Sequence, residues 1–220
     1  MTENYSNHGK LWLADFFWDT GAIQFGNFTL GQTVRNSPIY IDAKLLISKP
    51  HALKLSARII SDEIKTAQTK RQQQFEIFTA IAGVPIGGLH IATALSLEID
   101  TPLLYVRPTV AGVSENASHI EGKYIPGQTA VIVDDLATGG SSLIGTANRL
   151  RDAGLLVNDA IVLIDREQGA KYKLNQMGIK LHSILTLDII IRHLHANKKI
   201  SNEDFQGIQD YLEKEKKEQN

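Results

Sequence analysis

Val131-Ile132-Val133-Asp134-Asp135-Leu136-Ala137-Thr138-Gly139-Gly140-Ser141-Ser142 is the stretch whose reading decides the fold. It begins as an apolar run, turns on two adjacent carboxylates and passes through small residues. The periodic pattern Leu143 to Leu150 that follows reads as a helix. A buried strand ending in acids, then a Gly/Ser/Thr loop opening a helix, is a place to hold a phosphorylated sugar. Backbone N–H groups at such a loop point at an anion, and the helix dipole favours it. Two carboxylates beside that anion accept hydrogen bonds from sugar hydroxyls or help hold a divalent cation. The plainer alternative is a solvated turn, since Asp, Gly and Ser are common turn formers. Two adjacent acids at a strand end, leading straight into Thr138 to Ser142, weigh against it. The stretch lacks a Walker lysine and the spaced glycines of a dinucleotide fingerprint, so neither of those phosphate loops applies.

Outward from this centre, short apolar strands alternate with helical stretches. Residues 79–85 form a buried strand running into the turn Gly83-Val84-Pro85, Gly87 to Leu97 a small-residue helix, and Leu103 to Arg107 the next strand. After strand 129–135 come helix 141–153 with Gly154 as its stop, strand Ala160 to Ile164 ending in Asp165-Arg166, and helix Ala170 to Met177 stopped by Gly178. Strand Lys180 to Leu185 and helix Leu187 to Leu194 close the pattern. The alternation predicts an α/β fold, a mostly parallel sheet with helices on both faces. Ligands of such sheets sit at the carboxyl ends of the strands. Gly83-Val84-Pro85, Arg107, Asp134-Asp135 and Asp165-Arg166 all fall at such ends, which argues for one shared site.

Toward the N-terminus, Leu11 to Phe17 reads as a first helix, Phe28 to Leu30 as a short strand, Gly31 to Ser37 as a turn and Pro38 to Asp42 as the return strand of a hairpin hood. Ser48, ahead of Lys49-Pro50, suits a helix start, and Leu53, Ala57, Ile60 and Ile64 then recur at helical spacing. Lys65 to Gln74 ends that helix in an exposed loop; Val110 to Ser118, small and polar without period, suggests a mobile loop. The Lys- and Glu-rich tail from Ser201 reads as a surface helix that frays. Together these describe a single domain, with hood elements over about 11–45, a core over about 46–196 and a charged tail at 201–220. His193 and His195 lie two apart and do not share a helix face; they, His90 and His182 are read as surface residues rather than metal ligands.

Composition narrows the function classes. A formal net charge of −1 gives no whole-chain case for nucleic acid or an anionic membrane, so any anion site is local. The chain has no cysteine, which excludes disulfides, thiolate metal sites and cysteine nucleophiles. Met1 to Lys10 is polar, without the apolar core of a signal peptide, and no apolar run approaches a bilayer span. A cytoplasmic protein is the expectation.

The order of residues from Asp134-Asp135 to Ser142 closely resembles the phosphoribosyl pyrophosphate signature of the type I phosphoribosyltransferases. Asp19 to Gly26, Phe28-Thr29-Leu30, Ser37 to Asp42 and Ile47 to Pro50 look like the hood of orotate phosphoribosyltransferases. So do Gly83-Val84-Pro85, Ile120-Glu121-Gly122 and Leu163 to Gly169, the last especially like the orotate domain of bifunctional uridine monophosphate synthases. The resemblance runs from about Leu13 to about Leu194. It implies transfer of phosphoribosyl from phosphoribosyl pyrophosphate to orotate, giving orotidine monophosphate and pyrophosphate, in a homodimer. It also implies Mg²⁺ brought in with the pyrophosphate substrate rather than held directly by the protein. By the same resemblance, Asp134 and Asp135 hold the ribose hydroxyls, and Leu136, Ala137, Thr138, Gly139, Gly140 and Ser141 cradle the 5′-phosphate. Tyr40, Ile41, Thr138 and Arg166 meet the base, and Arg107 faces pyrophosphate with a fork suited to that anion. The plainer alternatives are a half-buried strand aromatic for Tyr40, a surface ion pair for Arg166 and a solvated strand-end arginine for Arg107.

The resemblance breaks in the loop after Arg107. The family follows that arginine with a lysine, then with a second lysine and a histidine or tyrosine on a flexible loop that closes over the neighbouring subunit's site. Here the segment is Arg107-Pro-Thr-Val-Ala-Gly-Val-Ser114, and no lysine lies between Lys70 and Lys123. The lysine often found after Phe-Thr-Leu is Gly31, and the one some members carry after Gly83-Val84-Pro85-Ile86 is Gly87. Charge builds on the departing pyrophosphate, and losing one preorganised donor costs about 100- to 1000-fold in comparable sites. His119, Lys123, Arg35 and Lys44 are the nearby candidates to substitute. The alternative function is therefore a catalytically impaired paralogue that binds phosphoribosyl pyrophosphate or a nucleotide as a sensor; a phosphoribosyltransferase for another base is a third reading.

Overall fold

The computed structural model describes residues 9–30, 34–72, 74–108 and 120–218. Near the N-terminus, β1 (Ile23–Leu30) and β2 (Val34–Ile41) pair antiparallel as a separate hairpin. The central sheet comprises β3 (Ala80–Gly83), β4 (Leu103–Val106), β5 (Ile120–Glu121), β6 (Ala130–Ala137), β7 (Asp159–Asp165) and β8 (Lys180–Thr186). Its order is β5-β4-β3-β6-β7-β8, parallel throughout except for β5 against β4. The helices are α1 (Trp12–Asp19), α2 (Pro50–Thr69), α3 (Gly87–Ile99), α4 (Ser141–Asp152), α5 (Ala170–Gln176), α6 (Leu187–Ala196) and α7 (Asn202–Glu218). None of the described helices is long and apolar enough to cross a membrane.

Strand alternation divides the core between the sheet's two faces. Ile81, Val131, Val133, Ile161 and Leu163 point into a cluster with residues of α1, α2, α3 and α6. Ala80, Ala82, Ile132, Ala160 and Val162 point into a second, with Leu143, Ala147 and Leu150 of α4 and Leu174 of α5. This is the period of two that a pleated strand imposes, and covering both faces is why these strands read as continuous apolar runs. From β3 the chain passes through α3 to β4 on one side; from β6 it passes through α4 to β7 on the other. The connections diverge between β3 and β6, leaving a crevice at their carboxyl ends where an α/β sheet binds ligands.

Several elements differ from the sequence expectation. The first hood strand begins at Ile23, not Phe28, with an irregular register between Phe25 and Phe28, and the second already runs from Val34 through the polar Ser37. Ladder hydrogen bonds use backbone groups, so polar side chains did not stop the strand. Ser48 does not cap α2. It ends a 3₁₀ turn over Ala43–Ser48 and donates to the Leu45 carbonyl at 2.8 Å, while Lys49 precedes the helix. The loop expected over Val110 to Ser118 lies outside the described residues.

The tail forms α7, which is not a surface element alone: it buries Ile208 and Leu212 against the first cluster and packs on α6 and β2. Nor are His182 and His193 surface residues: His182 Nε2 lies 2.8 Å from Asp159 under the Phe75 ring, and His193 Nε2 lies 3.0 Å from Asp15. His195 stacks on Phe205 with centroids 4.2 Å apart.

Candidate active site

The acidic pair lies within β6, which runs two residues beyond it to Ala137 rather than stopping at residue 135; Asp134 is 6% and Asp135 7% exposed. Asp134 Oδ1 accepts the Asp135 backbone N–H at 2.9 Å. Burial, reinforced by the Asp135 charge, holds the Asp134 carboxyl well above the usual carboxylate range. The first turn of α3 closes on the pair from the neighbouring strand end: a Cβ on Gly87 would stand 2.6 Å from Asp135 Oδ2, and one on Gly88 2.9 Å from Asp134 Oδ1. Two carboxylates are thus seated against the backbone of the β3–α3 connection, in which the Pro85–Ile86 peptide is cis.

Beyond the acids, Leu136 packs on the first cluster and Ala137 is buried in the second. The Ala137 carbonyl accepts the Arg166 N–H at 2.9 Å, and the Thr138 carbonyl accepts the Ala170 N–H at 3.2 Å. The loop is therefore tied along its length to the β7–α5 connection. Gly139 and Gly140 are buried while Ser141 and Ser142 are exposed. Gly140 precedes α4 at φ +80°, and a Cβ there would meet the Ala170 Cα at 3.0 Å, so both conformation and packing require glycine. No side chain caps α4 and its first turn carries no acid, which leaves the helix start open to an anion.

The third component is Arg166. It is fully buried, and its Nη2 donates to Ser37 Oγ at 2.7 Å and to the Ile39 carbonyl at 3.1 Å. This joins the end of β7 to the hood strand that carries Tyr40. Nε and Nη1 of Arg166 are buried without a partner, and burial pushes its pKa down against the influence of Tyr211 and Glu215. Buried guanidinium donors left unpaired are costly and suit a site that awaits an anionic or carbonyl-bearing ligand. Tyr40 is half-buried with its ring 5.6 Å from that of Phe28. Ile41 buries its side chain in the core, so only its backbone is available to a ligand. Arg107 directly follows β4 with Nε 2.8 Å from Glu121, on the antiparallel neighbour β5; its carbonyl accepts from Arg149 at 3.0 Å.

Residues 45–194 match the phosphoribosyl transferase domain. An orotate phosphoribosyltransferase of Cenarchaeum symbiosum is 38% identical over 181 residues, 82% of this chain and 87% of the relative. The chain belongs to the orotate phosphoribosyltransferase family. The bovine uridine 5′-monophosphate synthase is 34% identical over 196 residues, but this chain spans 39% of its length. The structure of Leishmania donovani UMP synthase superimposes with a TM-score of 0.81 at 32% identity, covering 93% of this chain and 42% of that one. The fold is accordingly that of the type I phosphoribosyltransferases, with a mostly parallel six-stranded sheet.

Other residues reach the site unforeseen. His90, expected at the surface, is half-buried with Nε2 unpartnered; it lies one helical turn after Gly87, and burial holds its pKa down while the Asp135 charge acts the other way. Lys44 acts on both Asp134 and His90 from the turn after β2. Ser37, Gln168 and Tyr211 surround Arg166. Ser37 falls in the hood block, but its polar surroundings suggest a turn. Tyr211 belongs to the repeat Phe205, Ile208, Tyr211, Leu212, whose spacing was the available signal that the tail has an apolar face.

Among the described residues no group of three or more potential protein ligands could cage a metal ion. Mg²⁺ does not need one: it is commonly held by one or two carboxylates together with substrate phosphates. The adjacent Asp134 and Asp135 carboxylates, pressed against Gly88 and Gly87, fit that arrangement.

Proposed function

We propose that this protein transfers the phosphoribosyl group of phosphoribosyl pyrophosphate to orotate, forming orotidine 5′-monophosphate and pyrophosphate. The observation that carries this reading is the tie between three strand ends. The carbonyl of Ala137, two residues beyond the acidic pair, accepts from Arg166, and the Arg166 side chain bonds the hood strand. A sugar-phosphate loop and a donor set for a carboxylated base are thus fixed in one frame.

In this reading the 5′-phosphate takes the backbone N–H groups from Leu136 to Ser141, and the ribose hydroxyls donate to Asp134 and Asp135. Thr138 stands between base and phosphate, and Arg166 donates to the base beside Tyr40 and the Ile41 backbone. The bond from ribose C1 to the pyrophosphate oxygen breaks, and that oxygen keeps the electron pair. N1 of orotate forms the new bond to C1, and its proton passes to solvent water. Positive charge develops on the ribose ring and negative charge on pyrophosphate, so the buried acids favour the first and Arg107 the second. Asp134 and Asp135 would help hold a Mg²⁺ brought in with the pyrophosphate substrate, and the ion would supply positive charge to the leaving group.

The hood and core act as one domain, and the protein works as a homodimer, as the family's practice of closing the loop after Arg107 over the neighbour implies. The phosphorylated substrates do not cross membranes unaided, which supports a cytoplasmic location. Orotate consumption with phosphoribosyl pyrophosphate and Mg²⁺, run beside a binding titration, tests the reading. Turnover that disappears in Asp135→Asn is expected; tight binding of phosphoribosyl pyrophosphate with no turnover overturns it.

A further inference from the structure

The C-terminal helix lies outside the residues that match the general phosphoribosyl transferase domain, yet it reaches the buried arginine of the base site. Tyr211 Oη accepts from Gln168 Nε2 at 2.7 Å, and the charge of Arg166, which donates to Ser37 Oγ, is felt at Tyr211. With Gln168 donating to its oxygen, Tyr211 keeps its single hydroxyl hydrogen for another acceptor. Burial and the Glu215 charge push the Tyr211 pKa up, which keeps the hydrogen in place.

Gln168 is 7% exposed, and its Nε2 also faces Glu215 Oε2 at 3.3 Å. An ionised carboxylate only accepts, so Glu215 holds the amide with its NH₂ toward α7. Gln168 Oε1 then faces away from α7, and it is buried without a partner. Two residues earlier in the same loop, Nε and Nη1 of Arg166 are also buried without partners. The β7–α5 connection therefore presents two unpaired donors and one unpaired acceptor. A pyrimidinedione bearing a carboxylate supplies the complement: oxygen acceptors for the guanidinium and a ring N–H for the amide oxygen.

We propose that α7 is a wall of the base site, in which Gln168 Oε1 accepts a ring N–H of the base while Tyr211 and Glu215 are the positioning residues for Gln168. The inference rests on the assignment of Arg166 to the base. It divides the work of the chain: the matched core holds the ribose phosphate, and two elements outside that match, β2 and α7, frame the base between them.

Isothermal titration of the full chain with orotidine monophosphate, and separately with ribose 5-phosphate, tests it, with steady-state KM for orotate and for phosphoribosyl pyrophosphate alongside. Tyr211→Phe, which removes one hydroxyl from an otherwise unchanged helix, is expected to weaken orotidine monophosphate about five- to tenfold, the effect of one lost hydrogen bond. Ribose 5-phosphate affinity and melting temperature stay unchanged, and KM rises for orotate alone. Glu215→Lys, which offers the Gln168 amide a donor and turns it over, weakens orotidine monophosphate at least as much. Unchanged orotidine monophosphate affinity in both variants, or a parallel loss for ribose 5-phosphate, overturns the proposal. Arg166→Met separates the two levels. If it alone loses orotidine monophosphate, the base site stands without α7; if it too binds normally, the base site itself is misplaced.

Discussion

Gly87 and Asp135 fit together only because Gly87 has no side chain: a Cβ there would lie 2.6 Å from Oδ2 and 2.7 Å from Oδ1 of the carboxylate. The end of a side chain can move, so Gly87→Ala is expected to displace Asp135 rather than unfold the chain. A misplacement of about 1 Å at a reacting centre costs roughly 100-fold in rate. Gly88 is the contrast. A Cβ there would stand 2.4 Å from the Val133 carbonyl oxygen and 2.8 Å from the Asp134 Cα, which are backbone atoms. Gly88→Ala should therefore destabilise the fold by about 1–3 kcal/mol or more. Urea unfolding and orotate turnover, measured on both variants, check the pair; equal stability losses would contradict it.

The site's two halves were unequally legible in the sequence. Asp134 to Ser142 carries its meaning locally, because a strand end, a small-residue loop and a helix start are consecutive in the chain and use backbone groups. Arg166 could be placed at a strand end but not assigned its partners, since Ser37 and Ile39 lie 129 and 127 residues away. In the tail, the Lys and Glu content masks Phe205, Ile208 and Leu212, which recur at helical spacing and pack on the core. His90 looked like a lone surface histidine because nothing in sequence distance connects it to Asp135, which belongs to a different strand. Periodicity found the elements; docking between distant elements decided which polar residues face the ligand.

Arg166→Met should separate stability from base binding. The arginine is fully buried with two nitrogens unpaired, so a residue of similar volume removes a desolvation penalty as it removes the charge. Unfolding free energy is expected to stay level or rise, while kcat/KM for orotate falls by about 100-fold or more, as expected when a charged hydrogen-bond donor set is removed. Arg166→Lys should not restore it, because an ammonium cannot reproduce a planar fork. Retained orotate turnover in Arg166→Met would place the base elsewhere.

The junction of α1 with the chain after α6 should be acid-labile. Burial raises the Asp15 pKa, but hydrogen bonds from Lys199 at 3.1 Å and His193 at 3.0 Å overcome this and leave it below its ordinary 3.8. A carboxyl with a depressed native pKa binds fewer protons folded than unfolded. Its contribution is fully present above the unfolded value and is lost as pH falls through the native one. Asp15→Asn is therefore expected to cost about 1 kcal/mol at neutral pH, allowing for partial exposure, with the difference from the unsubstituted protein closing below about pH 3. Urea unfolding over pH 2.5 to 7 (about the range the argument needs) gives the test, and a gap that persists unchanged at the acid end would sink it.

Arg107 is the cation at the strand end nearest the segment that lacks the family's lysines, and Glu121 holds its Nε at 2.8 Å. The partner is fixed by register: β4 and β5 run antiparallel with Glu121 opposite Tyr105, two residues before Arg107 and on the same face. An arginine so engaged must leave a carboxylate before it can meet a phosphate oxygen, which raises the cost of binding pyrophosphate. Glu121→Gln should release it and lower KM for phosphoribosyl pyrophosphate severalfold, with kcat little changed, because the contact is made in ground and transition states alike. Pro108→Lys acts differently. Pro108 is exposed, and a lysine there restores a cation next to Arg107 at the position the family fills with one. Charge on the leaving pyrophosphate grows toward the transition state, so this substitution should raise kcat by about 10- to 100-fold. Steady-state kinetics at saturating orotate distinguishes the two effects. If neither KM for phosphoribosyl pyrophosphate nor kcat responds, the end of β4 takes no part in holding the leaving group.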